Sequence, residues 1–376
     1  MKKTTYIIIA IVVLVGVYFV LNKKPDESSK GPIKIGVASL LSGDYSVVGE
    51  NIRETAHLVA DQVNANGGIN GRQIILIVED SKVDSKSGLS AVSKLVNVDG
   101  VKYIIAGMTS NGTIASAPLA NEKKVLLFTP VTGGKNVDDA GEYVFRMANS
   151  DSLAGRDIAR GMAKLGFKNI AVVSDVTDYT VSIRDSFVAE VGNLGGKVVL
   201  NEEFQPGAKD LRSVVIKAKG ASPGAILVLS QTGISGAVFI KQAREQGINV
   251  PFFSDFTMVT NGDAKKIVGN FDGVYFADPA YNADNSELKA FFDSYNKKYG
   301  HMPQIPFHSA STYDSLQILV KAIKAAGDDS QKVHDYILGT TKNYKGFMGT
   351  YSLDDKGNSN LGFVIKRIDG DKNIAI

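Results

Sequence analysis

Hydroxyl and amide side chains are concentrated in one short stretch of the sequence, Gly-Met-Thr-Ser-Asn-Gly-Thr at residues 107–113. The stretch follows an apolar run typical of a buried strand (103–106) and leads into a helical pattern, so it predicts a strand-to-helix junction. The first N–H groups of a helix have no partner within the helix, and anions bind there. Thr109 and Ser110 are therefore candidate contacts for a carboxylate. Ser110 and Thr113 would serve equally well as helix caps, and the sequence alone leaves both roles open.

The rest of the sequence offers no recognisable catalytic constellation. It contains no cysteine, which excludes disulfides, thiol nucleophiles and cysteine-based zinc sites. No glycine-rich loop ends in Gly-Lys-Ser/Thr, and the Gly/Ser segments at 107–110 and 233–236 do not match the hydrolase elbow. We therefore predict a protein that is not an enzyme and needs neither a metal ion nor a cofactor. The histidines lack metal-ligand spacing and are His57, His301, His308 and His334.

Length and composition predict two globular domains that bind no nucleic acid. A chain of 376 residues is long for one compact core. Apolar residues make up 44% and charged residues 22%, which is ordinary for a globular protein. A net charge of +3 is too small for a dedicated nucleic-acid surface.

The first 30 residues predict export and attachment to a membrane. A short basic start (1–3) precedes an uninterrupted apolar run (6–21), and Lys23 and Lys24 follow it. The run is slightly shorter than the roughly 20 residues that span a bilayer core. No small-x-small pattern marks a cleavage site near its end, which favours an uncleaved anchor within residues 1–30. A cleaved signal peptide is the alternative.

From residue 33 onward, apolar runs typical of buried strands alternate with amphipathic helical patterns. Strands that are apolar throughout and separated by helices indicate parallel sheets covered on both faces. One sheet holding all of them would be unusually large, so we predict two doubly wound α/β lobes. The predicted strands are 33–39, 73–79, 103–106, 125–129, 169–174, 198–202, 225–229 and 251–254, and the predicted helices include 52–63, 85–96, 181–191, 211–218 and 237–246.

The last third of the chain has a different pattern. Two long helical patterns (286–299 and 309–326) precede apolar runs at 349–353 and 362–368, which flank the turn sequence Asp-Asp-Lys-Gly-Asn and predict a hairpin. Helices that follow the second lobe indicate that the chain returns to complete the first lobe. Several crossings between two lobes would form a hinge.

Together these segments resemble the family of branched-chain amino-acid-type solute-binding proteins, the receptors of ABC importers with the type I periplasmic binding fold. The resemblance extends from residue 33 to the C-terminus. It implies a Venus flytrap whose two lobes close over a small solute. The segments that carry it are 35–43 with Gly49, 64–72, 78–80, 107–118, 128–130, Phe145 and Arg146 with Ser150 and Asp151, 242–247, Tyr313 with Asp314, and Ala322 and Ile323 with Gly327.

The resemblance also implies a ligand site between the lobes. It places Ser110 on the carboxylate of the ligand, assisted by backbone groups near Val131. It places Tyr179 and Asp255 of the second lobe around the ligand ammonium. Gly133 stands where a ligand-binding threonine is usual, so the adjacent Thr132 is the expected replacement. The predicted ligand-binding residues are Thr109, Ser110, Val131, Thr132, Tyr179, Thr232 and Asp255.

Several positions depart from the family pattern. Thr232 occupies a position that is often aromatic, and Val48 a position sometimes filled by tryptophan. Thr180 replaces the glycine that normally follows the tyrosine. The cavity is therefore expected to have few aromatic walls, and its expected ligands include amino-acid-like carboxylates and amides as well as branched-chain amino acids.

We therefore predict an extracytoplasmic solute-binding protein that captures a small polar ligand for the permease of an ABC importer. Residues 31–149 and 278–342 are predicted to form the first lobe, and residues 150–277 and 343–376 the second. A sensory module tethered to the membrane is the alternative function, and a two-lobed enzyme has the least support.

Overall fold

A computed structural model describes residues 31–376 apart from residues 44, 282 and 360. The predicted anchor within residues 1–30 lies outside this part of the chain. No helix among the described residues is both long enough and apolar enough to cross a membrane.

The first lobe contains a five-stranded sheet whose strands are β1 (Ile33–Ser39), β2 (Ile74–Asp80), β3 (Tyr103–Gly107), β4 (Leu126–Thr129) and β5 (Val144–Arg146). All neighbours pair in parallel, in the order β2-β1-β3-β4-β5. The central strand β3 is buried at every residue, because hydrophobic clusters cover both faces of the sheet. This explains the uninterrupted apolar runs in the sequence.

The second lobe contains a seven-stranded sheet in which two antiparallel strands extend a parallel core. The parallel strands are β6 (Asn169–Asp175), β7 (Lys197–Phe204), β8 (Ala225–Leu229), β9 (Phe252–Asp255) and β10 (Tyr275–Pro279). A short hairpin follows in the chain, formed by β11 (Tyr344–Gly346) and β12 (Gly349–Tyr351). The sheet is completed by β13 (Phe363–Asp369) and β14 (Lys372–Ala375), in the order β14-β13-β10-β9-β8-β6-β7.

Helices cover both sheets on both faces, and their hydrophobic sides form the lobe cores. The clusters around the first sheet include α1–α3 and α10–α12, and those around the second sheet include α4–α9. The predicted alternation and the two doubly wound lobes are thus confirmed. The helices are α1 (Ser46–Ala65), α2 (Ser85–Asn97), α3 (Ser110–Lys123), α4 (Asp151–Lys164), α5 (Asp178–Asn193), α6 (Arg212–Gly220), α7 (Ile234–Glu245), α8 (Phe256–Thr260), α9 (Gly262–Val268), α10 (Ser286–Tyr299), α11 (Pro306–Ala326) and α12 (Ser330–Thr340).

The predicted hairpin between residues 349–353 and 362–368 is wrong. β12 pairs with β11, whereas β13 pairs with β10 and β14. The two runs belong to different lobes, since Tyr351 is buried in a first-lobe cluster and Ile365 in a second-lobe cluster. The turn sequence between them therefore begins a crossing between lobes.

The chain crosses between the lobes after β5, after β10 and between β12 and β13. The last crossing lies later than the boundary predicted at residue 343. Phe347, Met348 and Leu361 all pack into the first-lobe cluster, so the chain leaves that lobe near residue 362.

Candidate functional site

A cavity of about 530 Å³ lies between the two lobes. The first lobe contributes the loop after β1, the start of α3, the loop after β4 and residues 304–308 around the start of α11. The second lobe contributes α5, the loop after β8 and the segment from α8 to α9. Most of these segments follow the carboxyl ends of parallel strands, where open α/β sheets bind ligands.

At the start of α3, Thr109 caps the helix and Ser110 faces the cavity. Thr109 Oγ1 accepts a hydrogen bond from Gly112 N (3.2 Å) and donates one to Val83 O (3.2 Å). Ser110 lines the cavity, and its Oγ forms no hydrogen bond with any residue that the structure describes. The capping role that the sequence left open thus belongs to Thr109. Ser110 Oγ and the unpaired N–H groups of the first helical turn are available to an anion.

The loop after β4 presents Val131 to the cavity but turns Thr132 away from it. Thr132 is only 2% exposed, and its Oγ1 donates a hydrogen bond to Met108 O at 3.0 Å. The same oxygen lies 3.2 Å from Thr113 Oγ1. Thr132 therefore ties this loop to the start of α3, and its hydroxyl does not reach the cavity wall.

Gly133 lines the cavity, and Asp151 explains why a glycine stands there. Asp151 begins α4, and its backbone N–H donates a hydrogen bond to Gly133 O at 2.7 Å. A Cβ atom at position 133 would overlap the Asp151 carboxyl group and the carbonyl of Asn149. Burial raises the pKa of Asp151 well above its ordinary value, although the nearby Arg146 acts in the opposite direction. A threonine at position 133 is thus incompatible with the position of Asp151.

On the second lobe, Tyr179 reaches the cavity from α5 and Asp255 supports it from behind. Asp255 is 1% exposed, and its Oδ1 accepts hydrogen bonds from Thr257 N (2.9 Å) and Thr257 Oγ1 (2.5 Å). The Tyr179 hydroxyl also interacts with the Asp255 carboxyl group. Burial raises the pKa of Asp255 to about 6, and the hydrogen bonds from Thr257 and Tyr179 partly oppose that shift. An acidic group is therefore held one layer behind the cavity wall.

Thr232 also lines the cavity, but its polar atoms are used within the second lobe. Its Oγ1 accepts a hydrogen bond from Ile234 N (3.3 Å), and its carbonyl accepts one from Asn261 Nδ2 (2.8 Å). Of the seven predicted site residues, Thr109, Ser110, Val131, Tyr179 and Thr232 line the cavity, while Thr132 and Asp255 lie behind its wall.

The expectation of few aromatic walls is wrong. Tyr45, Tyr179 and Phe256 all line the cavity. The ring of Phe256 packs edge-on against Phe307 of the first lobe, with centroids 6.0 Å apart. Phe256 directly follows Asp255, so the sequence pointed to the correct strand end but to the neighbouring side chain.

Several polar wall residues were not identified from the sequence, and three of them are Gln231, Gln304 and His308. Of these three, Gln231 carries a local signal, because it follows β8 at the ligand-binding edge of the sheet. Gln304 and His308 lie around the start of a helix late in the chain, and only the return of that helix to the first lobe brings them to the cavity.

The described residues contain no group of three or more His, Asp or Glu side chains that could hold a metal ion. The sequence Gly-Ala-Ser-Pro-Gly at 220–224 has the spacing of a hydrolase elbow. It connects the end of α6 to the start of β8, which reverses the strand-to-helix order that the elbow requires.

Two doubly wound lobes that are joined by several crossings and enclose a cavity at their strand ends define the type I periplasmic binding fold. Residues 32–366 match the family described as periplasmic binding protein, and the chain belongs to that family. Membership identifies an extracytoplasmic solute-binding protein and not an enzyme.

Similar proteins agree with this assignment. Leu/Ile/Val-binding protein homolog 2 of Brucella abortus (strain 2308) is 29% identical over 343 residues, which cover 89% of each protein. The crystal structure of a leucine-binding protein from Thermotoga maritima has a TM-score of 0.80 and 25% identity, covering 92% of this chain and 97% of that one. A branched-chain amino acid transporter substrate-binding protein from Streptococcus pneumoniae, solved in complex with isoleucine, has a TM-score of 0.79 and 26% identity, covering 92% and 99%.

Proposed function

We propose that the protein captures an amino-acid-like solute between its lobes and delivers it to the permease of an ABC importer. The observation that carries this proposal is the start of α3, where Ser110 Oγ and unpaired helix N–H groups face the cavity. A carboxylate placed there would accept charge-assisted hydrogen bonds from these donors. The relatives described above are named for binding leucine, isoleucine or valine, or for branched-chain amino acid transport. An amino acid or a related carboxylate or amide is thus the ligand class that fits best.

Binding would begin on the first lobe, which carries Ser110, and end with closure of the second lobe. Contacts that closure would form are present between the lobes. Lys135 N donates a hydrogen bond to Ser182 Oγ at 3.2 Å, and Phe256 packs against the first lobe. Closure would remove water from the cavity, so each polar group of the ligand would depend on a protein partner. This dependence would give the site its specificity.

Attachment to the membrane is proposed from the N-terminal sequence. The apolar run at 6–21 has no small-x-small cleavage pattern near its end, so residues 1–30 would remain and act as an anchor. Cell fractionation tests this, because the full-length chain should stay with the membranes while a chain that starts at residue 31 should not. A chain that is expressed from the full-length gene, is recovered in the soluble fraction and starts near residues 22–31 would contradict it.

A sensory module is the second candidate function, and the same N-terminal run favours it, since a tether would keep the binding protein beside a membrane receptor. The two functions differ in what ligand binding activates. Stimulation of an importer ATPase in proteoliposomes by the liganded protein would support transport. Stimulation of a membrane-bound kinase instead would support sensing.

A thermal-shift screen against amino acids, their amides and small carboxylates tests the ligand class directly. A ligand at one hundred times its Kd stabilises the folded state by about 2.7 kcal/mol, which is readily seen as a higher melting temperature. We expect α-amino acids or related amides to raise the melting temperature more than amines without a carboxylate. A shift with amines alone would contradict the proposal.

A further inference from the structure

His308 has an unpaired imidazole in the wall of the cavity. It lies in the first turn of α11, is 8% exposed, and forms no side-chain hydrogen bond with a described residue. Its Nδ1 atom is buried without a partner. Burial also lowers the pKa of His308 to about 3, so the ring is neutral near pH 7. Buried polar groups normally have partners, and this ring borders the ligand cavity, which offers space for one.

The surroundings hold His308 in a fixed position. Asn51 on α1 is 3% exposed and anchors the segment that precedes the histidine. Its Oδ1 accepts a hydrogen bond from Gln304 N (3.0 Å), and its Nδ2 donates one to Ile305 O (2.9 Å). The imidazole also lies edge-on to the ring of Phe256 from the second lobe, with centroids 6.2 Å apart. Groups held in this way bind a ligand with little further loss of conformational freedom.

The neutral imidazole carries one proton, and its surroundings determine which nitrogen holds it. A proton on Nδ1 would point into the protein interior, where no acceptor is available. A proton on Nε2 would point toward the cavity, where water or a ligand can accept it. Nδ1 lacks a partner in either tautomer, and an unsatisfied buried N–H is rarer in proteins than an unsatisfied acceptor, which favours the Nε2–H tautomer.

We propose that His308 Nε2–H donates a hydrogen bond to the ligand, and that the protein selects solutes with a neutral carbonyl or hydroxyl oxygen at the end remote from the carboxylate. The inference rests on the proposed function, because it takes the carboxylate to be held at Ser110 at the start of α3, while His308 lines the same cavity from the start of α11. It adds a specificity determinant to that function.

The charges of the wall favour a neutral group at this end. Among the described residues that line the cavity, Asp263 is the only one with a formally charged side chain. It is exposed and forms an ion pair with Lys266 at 2.8 Å. A charged ligand end would lose its hydration without gaining an opposite charge. The side-chain amide of Gln304, which also lines the cavity and has no partner among the described residues, adds a neutral donor and acceptor.

L-Asparagine and L-leucine are matched probes, because their side chains have the same branched shape but only asparagine carries an acceptor oxygen. Calorimetric titration of both probes would be carried out on the wild type, on His308→Leu and on His308→Gln. The leucine variant removes the donor, whereas the glutamine variant keeps an N–H donor near the position of Nε2. Thermal melting without ligand shows that each variant is folded.

We expect the wild type to bind asparagine more tightly than leucine. His308→Leu should weaken asparagine binding about tenfold and leave leucine binding unchanged or improved, since one hydrogen bond contributes about that factor. His308→Gln should retain most of the asparagine affinity. A wild-type preference for leucine, or an equal loss of both probes in His308→Leu, would overturn the role of His308 while leaving the proposed function in place. Failure of the wild type to bind either probe would overturn the selectivity proposed for His308, and the thermal-shift screen decides the proposed function separately.

Discussion

The two lobes contribute different kinds of wall to the same cavity. On the first lobe, Ser110 and His308 have no side-chain hydrogen-bond partner among the described residues. On the second lobe, the polar side chains are largely bound to their own lobe: Thr257 to an acidic residue behind it and Asn261 to the carbonyl of the loop after β8. Gln231 is the exception on that side, since its side chain has no such bond.

This difference predicts which substitutions should weaken ligand binding and which should lower stability. An unpaired polar group gains a partner only when the ligand arrives, so its removal should weaken binding more than folding. A polar group bound within its own lobe contributes to folding before any ligand arrives, so its removal should destabilise the empty protein. The first lobe thus carries the unpaired polar groups that we propose as ligand contacts, whereas most polar groups of the second lobe are already bound within that lobe.

The largest expected effect on stability comes from removing the hydrogen bonds that hold residues 304–309 at the first-lobe side of the cavity. Asn51→Ala would delete three hydrogen bonds to the segment that carries the cavity residues, to Gln304 N, Ile305 O and Ser309 Oγ. We expect the free energy of unfolding to fall by about 3 kcal/mol, because Ser309 is fully buried and the hydrogen bonds to Gln304 and Ile305 are partly buried. Urea unfolding measures this. Asn66→Ala, an exposed position at the end of the same helix, is the control and should change stability by less than about 0.5 kcal/mol.

Asn51→Ala should also weaken ligand binding, because the wall would lose its fixed position. If the variant were as stable as the wild type, other contacts would hold residues 304–309, and the position of this segment would not depend on Asn51.

Asp255 in the second lobe should make the stability of the protein depend on pH. The folded-state pKa of Asp255 is raised to about 6 from an ordinary 3.8, so the folded protein binds this proton more tightly than the unfolded chain. The resulting stabilisation is complete below pH 3.8 and is lost as the pH rises through 6. Asp255→Asn removes this dependence while keeping an acceptor for Thr257. The stability of the variant relative to the wild type should therefore improve by about 2 kcal/mol between pH 4 and pH 7.

Unfolding of both proteins at the two pH values measures that difference, and effects common to both chains cancel. A difference that stays constant with pH, or that moves in favour of the wild type, would mean that Asp255 remains ionised in the folded protein.

Ser110→Ala should separate affinity from stability most cleanly. We expect ligand binding to weaken by about 1–3 kcal/mol, the usual loss when a charged group loses one partner in a closed site. The melting temperature without ligand should change little, because the cap belongs to Thr109. Calorimetric titration of the variant measures the change in affinity, and ligand-free melting of the same variant measures the change in stability.

Thr109→Ala is the matched control for that experiment, and it should affect stability more than ligand affinity. Removing the cap should lower the ligand-free stability by about 1 kcal/mol. An unchanged affinity in Ser110→Ala together with a lower melting temperature would refute the assignment of Ser110 as a ligand contact.

Most of the fold could be predicted because its signals are local. Parallel strands buried on both faces are apolar at every position, so runs such as 103–106 and 225–229 are visible without knowledge of their neighbours. The hairpin at the C-terminus failed for the opposite reason. The pairing of β13 with β10 joins residues about ninety positions apart, and a turn sequence between two apolar runs does not reveal that the chain changes lobe there.

The site was less predictable for the same reason. The junction at Ser110 could be found because a strand end followed by a helix start is a local pattern. The inward direction of Thr132 depends on Met108 and Thr113, and the exclusion of a side chain at position 133 depends on Asp151. Contacts of this kind appear only when separate loops meet in three dimensions.

The placement of Thr109 beside Ser110 has an evolutionary consequence. Thr109 caps the helix and its neighbour Ser110 faces the cavity. If Ser110 contacts the solute as proposed, mutations at position 110 can alter which solute is accepted without removing the cap of this helix. If one serine performed both tasks, every such mutation would also lower stability by about 1 kcal/mol, a large fraction of the margin that natural proteins have. Selection for ligand specificity and selection for folding would then act on separate residues, so the ligand could change during evolution while the fold stays the same.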